Sequence, residues 1–150
     1  SNKLSGEISL GWGQQESIER SFSPIEGPLL NADLIWLPNS LTKVEFIARS
    51  EIDETTLVDS FGAIDRFYEL SVQHAFWTYL VLGAYLSYEN ADYVDSTLVD
   101  QRLKEGLTGE YYFNPLVSTY ARYEHTDFFS TDEESDFVEN EVRVGMRFRR

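Results

Sequence analysis

Near the C-terminus the chain alternates strictly. Val142, Val144, Met146 and Phe148 interleave with Glu141, Arg143, Gly145, Arg147 and Arg149. A period of two belongs to a β-strand, whose successive side chains leave opposite faces. Here one face is wholly apolar and the other carries carboxylates and guanidinium groups. That is the pattern of a strand set between lipid and a wet lumen.

Similar stretches recur along the chain, and eight strands are expected, at about 3–15, 28–37, 42–54, 65–75, 79–91, 101–113, 116–128 and after 135. Leu4, Ile8, Leu10 and Trp12 share the apolar face of the first, and Val44, Phe46, Ala48 and Ile52 that of the third. Leu80, Leu82, Ala84, Leu86 and Tyr88 do the same in the fifth. The connections alternate in length. Compact turns fall at Pro38-Asn39-Ser40, near Phe76–Thr78, and at Asn114-Pro115, where turn-forming residues cluster in two of the three. Long connections cover 16–27, 55–64, 92–100 and 130–135. Short turns on one side and long loops on the other are the plan of an up-and-down outer-membrane barrel. No helical period interrupts the strands, which excludes a βαβ fold.

Composition agrees once the architecture is considered. No apolar run reaches the length of about 18 residues that a transmembrane helix needs. A mean hydropathy of -0.34 does not exclude a membrane barrel, because half of a barrel's residues face a polar interior or loops. The net charge of -14 argues against nucleic acid as a partner. The absence of Cys excludes disulfides and thiolate metal sites. Ser1–Gly6 has neither a basic nor an apolar leader segment. The chain is therefore read as a mature protein or as a fragment of something longer.

A soluble lipocalin-like barrel would show the same alternation inside out, with its apolar face pointing inward. Two-sided connection lengths favour the membrane reading. So do aromatic residues near strand ends: Trp36, Trp77, Tyr111, Phe113 and Phe148 on the short-turn side, and Trp12, Tyr88, Tyr123 and Phe137 on the other. These are the girdle candidates.

Three segments carry a resemblance. They are Leu34-Ile35-Trp36-Leu37-Pro38-Asn39-Ser40-Leu41-Thr42, Gly109-Glu110-Tyr111-Tyr112-Phe113-Asn114-Pro115, and Tyr120-Ala121-Arg122-Tyr123-Glu124 with Asn140-Glu141-Val142-Arg143-Val144-Gly145. They are similar to the strand–turn–strand hairpins and the closing hairpin of the second putative β-barrel porin family of bacterial outer-membrane proteins. The family's members are longer and the matched motifs lie in their C-terminal part, so the resemblance implies the C-terminal portion of a larger barrel or a shortened relative. It further implies outer-membrane lipid, lipopolysaccharide and the barrel-assembly machinery as partners, and a link to exopolysaccharide export in some relatives. The assembly signal of such proteins is a terminal aromatic residue, whereas here Phe148 is followed by Arg149 and Arg150.

The candidate functional residues are those of the polar faces: Lys43, Glu45, Arg49, Glu69, Lys104, Glu110, Arg122, Glu124, Glu141, Arg143 and Arg147. In a closed eight-strand barrel they would form a plug of ion pairs, since such an interior is about filled by side chains. In part of a larger barrel they would line a wet channel and tune its selectivity. His74 reads as an interfacial residue. His125, with Asp127 two positions on, lies near the rim, but general-base work needs a second activating group that the sequence does not supply. Asp92, Asp95, Asp132, Glu133, Glu134 and Asp136 could offer oxygen ligands to Ca²⁺, yet they lack EF-hand spacing and read as solvated loop acids. No enzyme activity, cofactor or metal is expected. The leading expectation is a porin-like passive channel. The alternatives are a closed structural or adhesive barrel with acidic surface loops, and a soluble ligand-binding barrel.

Overall fold

The computed structural model describes residues 3–16, 23–55, 60 and 62–149. Residues 17–22, 56–59 and 61, within two of the expected long connections, lie outside the described residues, as do Arg150 and the side chain of Glu133. Eight antiparallel strands follow one another: β1 (Leu4–Gln15), β2 (Ile25–Asn39), β3 (Thr42–Glu54), β4 (Gly62–Trp77), β5 (Leu80–Tyr93), β6 (Val99–Asn114), β7 (Val117–Ser130) and β8 (Phe137–Phe148). A single turn of 3-10 helix, Glu133–Ser135, precedes β8. Several strands reach further toward the long connections than the alternation alone suggests. β2 starts at Ile25 and β4 at Gly62 because ladder pairing continues past the last alternating residues, as at Gln15↔Ile25 and Glu54↔Gly62.

Each strand pairs only with its sequence neighbours, in the order β1 to β8. Among the described residues no ladder joins β8 to β1, so the sheet is open and both edges are free. Three two-residue turns, Ser40-Leu41, Thr78-Tyr79 and Pro115-Leu116, connect the strands at one end. Asn39 and Asn114 shape two of them. The Asn39 Oδ1 accepts the Leu41 N–H at 2.9 Å, and the Asn114 Oδ1 accepts those of Leu116 at 2.8 Å and Val117 at 3.0 Å. Asn and Asp side chains stabilise turns in this way. Each turn is preceded by a register shift, near Trp36/Asn39, Ala75/Trp77 and Tyr112/Asn114.

Burial decides what surrounds the sheet. Among the described residues the buried apolar ones are small or peripheral: Ile25, Ala32, Ala48 and Ala63. Large apolar side chains stay uncovered even on central strands, with Leu70 52%, Leu86 47% and Leu107 60% exposed. On the opposite face it is Ser87, Ser118 and Thr126 that are buried. A lipocalin-like barrel would bury the leucines and expose the serines. The inverted arrangement needs an apolar solvent around the outside.

Candidate functional site

Cross-strand register assigns every strand residue to one of two faces, since directly opposed residues project to the same side. The apolar face runs through Trp36↔Val44, Val44↔Val72, Val72↔Ala84, Ala84↔Leu107, Leu107↔Tyr123 and Tyr123↔Val142. At its short-turn end the rings of His74, Phe76, Trp77, Tyr79, Tyr111 and Phe113 touch in sequence, with centroids 4.6, 6.4, 5.9, 5.4 and 5.2 Å apart. Trp77, Tyr111 and Phe113 are thus joined by Phe76 and Tyr79, which the strand pattern alone does not single out. Trp36 and Phe148 are exposed at the same end, and Trp12 and Tyr88 toward the other, whereas Tyr123, the seventh of the fourteen residues of β7, is exposed mid-strand and not at the end where a girdle residue is expected. The Tyr123 hydroxyl donates to the Asn140 Oδ1 at 2.7 Å.

Phe137 departs from the expected girdle. It opposes Phe128 and stacks on it, with centroids 4.9 Å apart. The Arg102 guanidinium lies 5.2 Å from the Phe128 ring centre. Phe137 shares the parity of Glu139 and Glu141, so it belongs to the charged face. Position near a strand end is not enough to put a ring against lipid.

The charged face holds the candidate lumen residues, and the register brings them together. On β3, Lys43 pairs with Glu45 at 2.7 Å. On β7, Arg122 pairs with Glu124 at 2.6 Å, and both hydrogen-bond the Tyr85 hydroxyl of β5, which donates to Glu124 and accepts from Arg122 at 2.6 Å. On β8, Arg143 binds both oxygens of Glu141. Glu110 accepts from Arg147 at 2.7 Å and from the Ser118 hydroxyl at 2.7 Å, with Arg149 3.6 Å away. Arg49, Glu69 and Lys104 lie on the same face: Arg49 opposes Phe67, and Glu69 and Lys104 both oppose Ser87. Two depressions of about 320 and 290 Å³ open on this face. Arg122, Arg143 and Arg147 border the first, and Glu45, Ser71 and Arg122 the second.

Aromatic rings coat the same face; the alternation places Tyr120 there but does not show how the rings lie. Tyr85 directly opposes Gly106, and Tyr120 opposes Gly145. Each ring lies flat over its glycine: a Cβ at Gly106 would fall 1.9 Å from Tyr85, and one at Gly145 2.6 Å from Tyr120. Arg122 covers Tyr85 at 4.9 Å and Arg147 covers Tyr120 at 4.7 Å. The available signal is parity: Tyr85 and Tyr120 fall on the polar side of the alternation.

His74 Nδ1 lies 2.8 Å from the Thr42 hydroxyl. His125 is 2.9 Å from the Asn140 Oδ1 and 3.4 Å from Asp127. It shares the face of Tyr123 and Val142, opposite the arginines. Several loop acids are engaged locally. Asp92 binds Arg66, Asp136 accepts the Ser130 N–H at 2.7 Å, and Asp132 accepts from Ser135 at 3.1 Å. Among the described residues no group of three His, Cys, Asp or Glu is placed to hold a metal ion.

Comparison with known proteins gives the same architecture. The sheet is similar to in-vitro folded OmpT, an outer-membrane protein of Vibrio cholerae in its trimer form, with a TM-score of 0.68 at 15% identity. The match covers 94% of this chain and 49% of that one, so the chain spans about half the length of the barrel it resembles. No curated protein matches it in sequence. The sequence pattern of a bacterial outer-membrane family, described as Putative beta-barrel porin 2, matches residues 1–150. The chain belongs to this β-barrel porin family, and its place is the bacterial outer membrane.

Proposed function

We propose that the chain forms a contiguous part of the wall of a water-filled channel, that further strands pair with the free edges of β1 and β8, and that ions and small hydrophilic solutes cross passively. The charged face is then the lumen wall, the aromatic residues at the ends of the apolar face are the interfacial girdles, and lipid and lipopolysaccharide contact the apolar face. One observation carries this reading. Tyr85 and Tyr120 lie flat over glycines, each capped by an arginine, so two of the largest polar-face side chains coat the wall instead of filling the space in front of it. A closed eight-strand barrel does the opposite and packs its interior. No catalytic role is proposed, because His125 lies on the face turned away from the lumen.

The test is conductance of the full-length protein in planar bilayers. Stepwise current is expected, and its absence refutes the channel. Arg122→Gln with Arg143→Gln separates a wet wall from a plug. On a wet wall the loss is about 1 kcal/mol or less for each pair removed, as for exposed ion pairs. In a plug it strands buried carboxylates and costs about 3–5 kcal/mol. The finer implication of the family resemblance, passage of an exopolysaccharide, is tested by blockade of the current with added polysaccharide.

A further inference from the structure

Three ion pairs of the charged face are each ordered along their own strand, with the cation toward the short-turn end. Lys43, Gln73, Gly83, Thr108, Arg122 and Arg143 form one continuous cross-strand row. Glu45, Ser71, Tyr85, Gly106, Glu124 and Glu141 form the adjacent row, about 7 Å further toward the long connections at the usual rise per strand residue. All the charges of the first row are positive and all those of the second negative. Each pair, Lys43–Glu45, Arg122–Glu124 and Arg143–Glu141, joins the two rows along its own strand. β8 runs opposite to β3 and β7, and its order is reversed to match.

This order is not the most stabilising one. Arg122 directly opposes Arg143, and Glu124 directly opposes Glu141. Like charges in direct opposition repel, whereas exchanging Glu141 and Arg143 would create two cross-strand attractions. The next row toward the long connections carries Glu7, Asp33, Glu69 and Glu139 against Lys104. The polarity ends at the row after it, which carries Arg49 and Arg102 against Glu89. On the short-turn side Arg147 and Arg149 share the single carboxylate of Glu110.

Resting on the channel reading above, we infer that these rows form a bipolar collar, set obliquely to the pore axis because barrel strands tilt by about 35–45°, that makes the channel an ionic rectifier. The acidic row concentrates cations and the basic row concentrates anions. A field with the long-connection side positive drives both kinds of ion inward through the row that attracts them and fills the junction with carriers. The opposite field empties it.

The experiment uses the full-length protein in planar bilayers, its orientation fixed by a membrane-impermeant thiol reagent acting from one side on Ser135→Cys in the last long connection. In potassium chloride at 0.1 M, where screening extends about 10 Å, current with the long-connection side positive should exceed the reverse current about twofold. At 1 M, where screening falls to about 3 Å, the ratio should approach unity. Exchanging the charges on two strands (Lys43→Glu, Glu45→Lys, Glu141→Arg, Arg143→Glu) keeps the net charge and leaves the Tyr85 network intact; it should abolish or reverse the asymmetry. Exchanging Arg122 and Glu124 as well should reverse it. Symmetric current in the unaltered protein at 0.1 M overturns the collar but leaves the channel, as does an asymmetry unchanged by the four-residue exchange. A protein that never conducts overturns both.

Discussion

The ring of Tyr85 covers Gly106, its direct partner across β5 and β6, so closely that a Cβ on Gly106 would lie 1.9 Å from the ring edge. The glycine is what lets the ring lie down, and the lying ring is what brings its hydroxyl to Arg122 and Glu124 on β7, two strands away. Gly106→Ala should lift the ring and break that link, at a cost of about 1–3 kcal/mol, typical of overpacking. In a Tyr85→Ser background the same substitution should be close to neutral. Urea unfolding in liposomes measures both; an equal cost in the two backgrounds would show that the ring is not what the glycine accommodates.

The strands, their order and the two-sided connections are legible in the sequence because period-two alternation and turn chemistry are local. The faces are legible too, and all eleven charged candidates share one face. What fails is position used without parity. Phe137 reads as a girdle residue from its place at a strand end, but its odd number puts it with Glu139 and Glu141 against Phe128. What stays hidden depends on register across several strands. The Tyr85–Arg122 contact spans β6, and the shared rows of Lys43, Arg122 and Arg143 require five consecutive ladders to be known. The free edges leave no local mark either, because a β1–β8 ladder would be made of the same residues.

The inverted burial predicts an asymmetric response to charge. Leu86, the seventh of the fourteen residues of β5, lies mid-strand on the apolar face, and Ser71 lies on the charged face beside Tyr85. Leu86→Arg should cost about 2–4 kcal/mol in folding into liposomes, the expense of a cation near the bilayer midplane. Ser71→Arg should be tolerated. Comparable losses for the two variants would contradict the assignment of the faces.

The long connections have their own tie. The Ser23 N–H donates to the Asp95 carboxylate at 2.7 Å, joining the first and third of them. Hydrogen bonds from the Ser23 side chain and backbone hold the Asp95 carboxyl below its ordinary value. A lowered value in the folded state means the tie is fully present above the ordinary carboxylate range, about pH 4, and is lost as pH falls through the folded value. Protection of the Ser23 amide from hydrogen exchange, corrected for intrinsic rate, should therefore drop in acid. Asp95→Asn suits the positive φ of 62° at this position, and it should lower the protection at neutral pH and remove the acid step. Unchanged protection in that variant would mean the carboxylate does not hold the loop.

The edges of the sheet carry the last prediction. A backbone N–H or C=O left unpaired in lipid is costly, so membrane strands do not end in bare edges. β1 and β8 each present one, since the described ladders run from β1 to β8 and do not close. In the full-length protein these edges should meet other strands rather than each other. Cysteine pairs test this directly. Ser9→Cys with Asn31→Cys and Thr126→Cys with Glu139→Cys join direct partners on β1–β2 and β7–β8 and serve as positive controls. Ser5 or Ser9 replaced by Cys, combined with Cys at Glu139, Glu141, Gly145 or Arg147, samples consecutive same-face registers of a β1–β8 seam. The controls should oxidise efficiently in the folded protein and the seam pairs should not. A seam pair that crosslinks as well as the controls would mean that β1 and β8 close on each other. The flat rings over Gly106 and Gly145 would then line a space as narrow as that of a small barrel, and the wide lumen would be lost with it.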